Sequence, residues 1–357
     1  MIHIVHIIPS LSYGGAERMV VDIINNSNAK NFHFSIIVFG QNNFLKKQLT
    51  SKHVKVYNVN KKGKISLHLF KDLEEKLREL KPDIVHTHLF GADFWGRVAA
   101  KRLDLPVVTT EHNFNENEGA LKNSLKKYLR DKTNVYTTCS FAVKEYAAKK
   151  YSIDSNIIQV IDCAVDLAKF KDASKVDFGV EKINFLMLGR LSKQKGHALS
   201  LQALAEINSK KWKLSIVGDG ELKSSLERYV KKLNIVDNVE FLPFVDDVSE
   251  VLDSCQILLF PSLWEGLGIV AREAMSAGRV VIASSTGGIP EYIEDSVTGY
   301  LVETGNVDAL KNKIQWCLAN TDKLEQVATN AKKYAKENFA IKTMVQKYEK
   351  IYKSLSK

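Results

Sequence analysis

The chain has 357 residues, of which 45% are apolar and 26% charged, and it carries a formal net charge of +10. That length is long for one hydrophobic core, so two domains are predicted. The composition is that of an ordinary globular chain, and no run approaches the ~18 apolar residues of a membrane-spanning helix.

The charge is uneven. Residues 1–175 carry 27 Lys and Arg against 18 Asp and Glu, whereas residues 176–357 carry 24 against 23. The excess gathers in "KKGKISLHLFKDLEEKLRELK" and "LKNSLKKYLRDKTN", where Lys126 and Lys127 suggest a basic patch. Such a half can meet nucleic acid, an anionic membrane or an acidic substrate. No nucleic-acid-binding motif occurs, so nucleic acid is not expected as a partner. A solvated lysine surface and peripheral contact with anionic lipid both stay open.

In chain order, "MIHIVHIIPSL" reads as a buried strand; it lacks the lysine-rich start and cleavage site of a signal peptide. Short apolar runs come next: "FSIIVF", "DIVHTH", "VVTTEH", "NVYTTCS" and "IIQVI". A polar, charged stretch, "VDLAKFKDASKVDFGVEK", precedes a second series: "INFLMLG", "LSIVG", "VEFLPF", "ILLFPS", "VVIASS" and "GYLVE". Helical patterns alternate with these runs, among them "AERMVVDIINNSN", "LFKDLEEKLRELK", "ALSLQALAEIN", "LKSSLERYVKKLN" and "VDALKNKIQWCLAN". The chain ends in one long basic helical pattern from Val327. Alternation of this kind predicts parallel sheets in doubly wound layers, and its repetition predicts two α/β domains. Cys139, Cys163, Cys255 and Cys317 form no C-x-x-C pair and read as reduced core thiols of a cytosolic protein.

Ligands of open α/β sheets bind beyond the carboxyl ends of the strands, so the residues just after each apolar run are the candidates for chemistry. After the first run stands "PSLSYGGAERM", where Gly14 and Gly15 allow close backbone approach at a helix start. After "INFLMLG" comes "GRLSKQKGH", which sets Arg190 and Lys195 in one loop, a pairing suited to a diphosphate. "GDGEL" adds a tight turn at Gly218, and "STGGIPEYI" another at Gly287 and Gly288. In "PSLWEGLGIVAREAM" a glycine loop with Gly266 and Gly268 leads into a helix, whose amides at Gly268 and Ile269 suit a phosphate. Glu265 and Glu273 stand eight positions apart there, about 80° apart on a helix, so helical periodicity does not explain them. As hydroxyl acceptors, Glu273 suits a ribose diol and Glu265 a sugar ring. The macrodipole explains Glu273 alone.

Taken together, "GGAE", "TTEH", "GRLSKQKG", "VGDGEL", "PSLWEGLGIVAREAM" and "GGIPEYI" resemble, in order and spacing, a family 4 retaining glycosyltransferase of the GT-B fold. The glutamate pair resembles that family's E-x7-E motif. The resemblance implies two Rossmann-like doubly wound parallel-sheet domains facing a central cleft: an acceptor domain over 1–168, a nucleotide-sugar domain over 169–338, and a helix over 339–357 returning to the first. It implies that Glu273 binds the ribose, that Glu265 holds donor-sugar hydroxyls, that Arg190 and Lys195 bind the diphosphate, that Gly15 approaches the donor, and that His112 of "TTEHN" lies beside the donor sugar. Retention by front-face attack needs no enzymic nucleophile and no metal, and no D-x-D motif is placed to hold one; Asp246-Asp247 reads as loop.

Three departures from the pattern fall at "DCAVD", with Cys163 and Ala164, at "GRVVI", and at Pro243. The expected activity is hexosyl transfer from a nucleotide-diphosphate sugar, UDP-linked in preference to GDP-linked, to a glycan or polyprenyl-linked acceptor in surface polysaccharide or glycoconjugate synthesis. No cofactor is expected, and the expected place is the cytoplasm or the inner face of its membrane. A sugar-nucleotide epimerase, a phosphorylase or a non-catalytic sugar-nucleotide-binding protein are the alternatives. A Rossmann dehydrogenase would need G-x-G-x-x-G where the chain has "SYGGAER".

Overall fold

The computed structural model describes residues 1–50, 54–59, 67–114, 119–209 and 211–356, so the basic segment "KKGKIS" lies outside the described residues. The chain divides into two compact units, 1–164 with 341–357, and 165–340.

Unit 1 is built on seven parallel strands: β1 Ile2–Ile8, β2 Phe32–Val38, β3 Lys55–Asn58, β4 Ile84–His88, β5 Val107–Glu111, β6 Val135–Thr138 and β7 Ile158–Val160. They lie in the order β3-β2-β1-β4-β5-β6-β7. Unit 2 has six: β8 Ile183–Leu188, β9 Trp212–Val217, β10 Val239–Leu242, β11 Ile257–Phe260, β12 Val280–Ser284 and β13 Tyr300–Val302, in the order β10-β9-β8-β11-β12-β13. The central strands are buried along their whole length, as "ILLF" and "VVIAS" are in β11 and β12. Helices cover both faces of such sheets, which is why these strands read as unbroken apolar runs without alternation. The core of unit 2 joins Phe185, Met187, Leu214, Ile216, Ile257, Leu259 and Ile282.

The structure differs from the sequence reading in three places. β3, "KVYN", is an additional edge strand; it is short, its end residues are exposed, and it has no apolar run to reveal it. The long C-terminal pattern is two helices, Thr321–Asn338 and Ile341–Leu355, parted at Phe339 and Ala340. The units part at 164/165 and 340/341, not at 168/169 and 338/339. Val165 explains the shift: its amide donates to the Phe339 carbonyl at 2.9 Å and it bridges to Ala340, so the strand that enters unit 2 is paired with the one that leaves it.

The helix Ile341–Leu355 completes unit 1. Its Met344, Val345, Tyr348, Ile351 and Tyr352 are buried, and the Asn28 amide donates to Glu349 at 2.8 Å. Burial of a large apolar side chain contributes ~1.5–3 kcal/mol, so this face contributes on the order of 10 kcal/mol, comparable with the ~5–15 kcal/mol of a whole domain. Removal of residues 341–357 is therefore expected to abolish hydrogen-exchange protection in β1 and β4. Retained protection in the truncated chain would refute this account of the helix.

Candidate functional site

Each sheet contains one point where successive strands depart to opposite sides, and there the loops after them splay apart. In unit 2 that point lies between β8 and β11. The loops after these strands run over 189–196 and 261–268, and they are laced together. The Leu263 amide donates to the Gln194 carbonyl at 2.7 Å, and the Gln194 side chain donates to the Trp264 carbonyl at 2.9 Å. Gly196, at φ +66°, lies so close to Pro261 that a Cβ there would collide with its carbonyl oxygen. Across this seam Lys195 Nζ meets Glu265 Oε2 at 2.5 Å, and Ser262 Oγ donates to the same oxygen at 3.4 Å. Lys195 also stands 4.8 Å above the Phe260 ring. Glu265 is only 8% exposed, which makes this a largely buried ion pair held by its loops.

Arg190 shares the loop with Lys195. Its side chain is exposed, and no hydrogen bond or ion pair engages it among the described residues. Glu273 is likewise 8% exposed, within the helix Ile269–Ser276, and Gly268 enters that helix at φ +82°. The Gly268 carbonyl accepts from Tyr292 Oη at 3.3 Å. The amides of Gly268 and Ile269 have no backbone partner among the described residues, as expected for the first N–H groups of a helix. Arg272, next to Glu273, is buried with its guanidinium 3.8 Å from the Phe339 ring centroid, which fixes the helix against the core. Arg190, Lys195, Glu265, Gly266, Gly268, Ile269 and Glu273 thus all lie at the carboxyl end of one sheet. Gly218 is there too, but its positive φ, +140°, lets its backbone pack against the Gly189 carbonyl, a structural contact between loops. Asp247 lies in the loop before a short helix and accepts from the Ser249 amide at 3.0 Å.

His197 begins the next helix, buried at 2%, with Nδ1 unpartnered. Burial, reinforced by the neighbouring Lys195 cation, lowers its pKa from 6.5 to about 4.

In unit 1 the reversal falls between β1 and β4. Gly14 caps the helix Gly15–Asn26, and Glu17 from the first turn fills the space that Gly14 leaves and accepts from Ser12 Oγ at 3.2 Å. The positive end of this helix is therefore already met by a carboxylate of its own chain. His112 comes just after β5, and its Nε2 lies 3.2 Å from His88 Nδ1. Behind it sit three fully buried imidazoles, His6, His86 and His88. Their nearest nitrogens fall within 4.8 Å of one another, a spacing that invites comparison with a metal centre. Five of the six ring nitrogens are nevertheless engaged: His6 Nδ1 with His88 Nε2 at 3.0 Å, His88 Nδ1 with His112, and His86 with Tyr352 Oη and Thr110 Oγ1, both at 2.8 Å. With those nitrogens engaged, and no carboxylate joining them among the described residues, the cluster is a hydrogen-bonded chain.

Sequence reasoning missed this chain of rings. Its signal was present in "IHIVHII" and "IVHTH", which put histidines at positions two or three apart in strands that are otherwise apolar. It also misplaced Lys126. That residue is 2% exposed, paired with Glu111 at 2.8 Å and Tyr151 Oη at 3.0 Å, and it forms no part of a surface patch.

Two doubly wound parallel-sheet units define the GT-B class of glycosyltransferases, and the fold matches that of Anabaena Alr3699/HepE, solved in complex with UDP and glucose. The TM-score is 0.87, covering 99% of this chain and 100% of that one at 23% identity. Residues 13–169 match the model of glycosyltransferase family 4, and residues 169–334 that of glycosyl transferases group 1. The chain is 31% identical, over 68% of each chain, to the Escherichia coli UDP-Gal:alpha-D-GlcNAc-diphosphoundecaprenol alpha-1,3-galactosyltransferase. It is 28% identical, over 94% of each, to the Campylobacter jejuni GalNAc-alpha-(1->4)-GalNAc-alpha-(1->3)-diNAcBac-PP-undecaprenol alpha-1,4-N-acetyl-D-galactosaminyltransferase. The chain belongs to glycosyltransferase family 4.

His197 makes stability depend on acid. Above pH 6.5 it is neutral whether folded or unfolded. Between 6.5 and about 4 the unfolded chain takes up a proton that the folded chain refuses, so stability falls as pH falls. One such proton steepens the loss by up to ~1.4 kcal/mol per pH unit. His197→Leu is expected to flatten the decline of unfolding free energy between pH 6.5 and 4.5. An unchanged slope would show that His197 does not fold in the neutral state.

Proposed function

We propose that the chain is a retaining, metal-independent hexosyltransferase that takes a UDP-linked sugar as donor and a polyprenyl-diphosphate-linked glycan as acceptor, in surface polysaccharide assembly. The observation that carries this reading is the Lys195–Glu265 pair at the switch point of unit 2, with the exposed Arg190 guanidinium in the same loop. A diphosphate offers Lys195 a more highly charged partner than Glu265. As Lys195 turns to it, Glu265 is left to accept from sugar hydroxyls.

In the proposed reaction the bond between the anomeric carbon and the diphosphate oxygen breaks first. Arg190 and Lys195 offset the charge that develops on the departing phosphate, which is the work a divalent ion would otherwise do. The acceptor hydroxyl then bonds to the anomeric carbon from the same face, and its proton passes to the departing phosphate. Glu273 accepts from the ribose diol, and the amides of Gly268 and Ile269 face phosphate oxygens. His112 hydrogen-bonds to the transferred sugar. The Escherichia coli relative supports the choice of substrates, because its name joins UDP-Gal, a diphosphoundecaprenol-linked acceptor and an alpha-linked product.

No helix among the described residues is long and apolar enough to cross a membrane. A lipid-linked acceptor nevertheless requires the chain to reach a bilayer, and the helix Ala120–Leu129 of unit 1 is suited to it. It exposes Leu121 at 71% and Tyr128 at 63%, with Lys122, Lys127 and Arg130 exposed beside them. This favours peripheral contact with anionic lipid at the cytoplasmic face, at ~1 kcal/mol per basic residue near the surface.

Glu265→Gln is expected to lower kcat for transfer by on the order of 100-fold, read as UDP release across a panel of UDP-hexoses with polyprenyl-diphosphate acceptors. Transfer surviving within about tenfold would remove Glu265 from the mechanism. The paired change Lys122→Glu, Lys127→Glu is expected to abolish cosedimentation with phosphatidylglycerol vesicles. If cosedimentation persists undiminished, this helix is not the lipid-binding face.

A further inference from the structure

We infer that His6 and His88 are positioning residues that set the tautomer of His112, so that His112 presents an Nδ1–H donor, and not a basic lone pair, to its ligand. The inference rests on the proposed reading of His112 as a sugar contact and states how that contact works.

The three rings form an unbroken line across neighbouring strands. His6 of β1 lies in register with His86 of β4, and His88 of β4 with Thr110 of β5, two residues before His112. Along the line, His6 Nδ1 meets His88 Nε2 at 3.0 Å, and His88 Nδ1 meets His112 Nε2 at 3.2 Å. A neutral imidazole donates from one nitrogen and accepts at the other, so choosing the proton on one ring fixes the next. Two arrangements satisfy both contacts. In the first, His6 donates to His88, His88 donates to His112 Nε2, and His112 carries its proton on Nδ1. In the second, every proton moves to the other nitrogen, and His112 donates back towards the core.

The far end of the line decides between them. His6 Nε2 is buried and has no hydrogen-bond partner among the described residues. The second arrangement would place an N–H there with nothing to receive it. The first leaves only a lone pair, and an unmet acceptor is better tolerated in protein interiors than an unmet donor. Burial also lowers the pKa of His6 to about 3 and that of His88 well below 6.5, so neither of these two rings holds a second proton. His112 Nδ1 has no partner among the described residues, which leaves that N–H for a ligand.

Leu89, immediately after His88, sits at φ +61° and ψ 146°, a region that favours glycine. Cys139 Sγ donates to the His112 carbonyl at 3.2 Å. Because Nε2 of His112 already accepts from His88, the ring has no lone pair with which to take a proton from the acceptor hydroxyl. That agrees with passage of that proton to the departing phosphate.

The test uses the full chain with ring-¹⁵N-labelled histidine and long-range ¹H–¹⁵N correlation spectra, the His112 signal being identified by its loss in His112→Gln. The wild-type chain is expected to show neutral His112 protonated on Nδ1; protonation on Nε2 overturns the inference without any further variant. His88→Leu should release His112 towards the Nε2–H form that free imidazole side chains favour. His86→Leu, an equally buried change without a bond to His112, should leave the tautomer as it was. His88→Asn, whose amide reaches the position of Nδ1, should restore it. A tautomer unmoved by His88→Leu in a chain of native near-ultraviolet dichroism also overturns the inference. In transfer assays with UDP-hexoses, His88→Leu should lower kcat at least tenfold with KM for the donor within twofold. If His112→Gln transfers as fast as wild type, the sugar-contact reading fails, while the ¹⁵N spectra still decide the line of histidines.

Discussion

The reversal of strand order between β8 and β11 is the constraint on which the site in unit 2 depends. Neighbouring parallel strands that send their chains to opposite sides open a gap at their carboxyl ends, and only the two loops after them can close it. The chain closes it by lacing the loops through Gln194, Leu263 and Trp264. Lys195 and Glu265 are thereby held against each other before any ligand arrives. A pair buried to this degree gives little net stability, because desolvation offsets most of the attraction. Its value is that the charges are placed in advance, which is what stabilising a departing diphosphate requires.

The same loops show where sequence reading succeeds and where it stops. Unbroken apolar runs such as "ILLF" announce buried parallel strands, and all six strands of unit 2 were legible from them. Glycine was legible as a position but not as a purpose. Gly218 read as a turn beside the ligand, yet its missing side chain admits the Gly189 carbonyl, as that of Gly196 admits the Pro261 carbonyl. Both readings demand a residue without a Cβ, so spacing could not separate them. Arg190, Lys195, Glu265 and Glu273 were legible because each comes after a strand, and strand ends are fixed by the topology. Their partners were not, since the Lys195–Glu265 contact spans seventy positions.

Lys126 and β3 failed for the opposite reason. A lysine in "LKNSLKKYLRDK" looks like its neighbours, but helical phase turns Lys126 inward to Glu111 and Tyr151 while Lys127 stays exposed. Composition averages over that distinction. "KVYN" lacks an apolar run because an edge strand keeps one side in water, so only pairing with β2 reveals it. The break at Phe339 and Ala340 was hidden in the same way: no proline or glycine marks it, and it arises from the bridge to Val165.

Unit 1 obeys the same topological rule with different chemistry. Its reversal between β1 and β4 is lined by imidazoles, not by an ion pair. Polar rings inside a parallel sheet must find partners or cost more than they return, and here the rings serve one another. The last helix supplies what the sheet lacks: Tyr352 Oη reaches His86, and Tyr348 Oη reaches Thr110 at 3.3 Å. Residues more than two hundred positions away therefore complete a network that begins in the first strand. An apolar core at His6 and His88 would fold at lower electrostatic cost, but it would leave His112 free to rotate and to choose its own proton. On that reasoning the buried histidines are retained for the orientation of one ring, and the unmet nitrogen of His6 is where the cost of that orientation is carried.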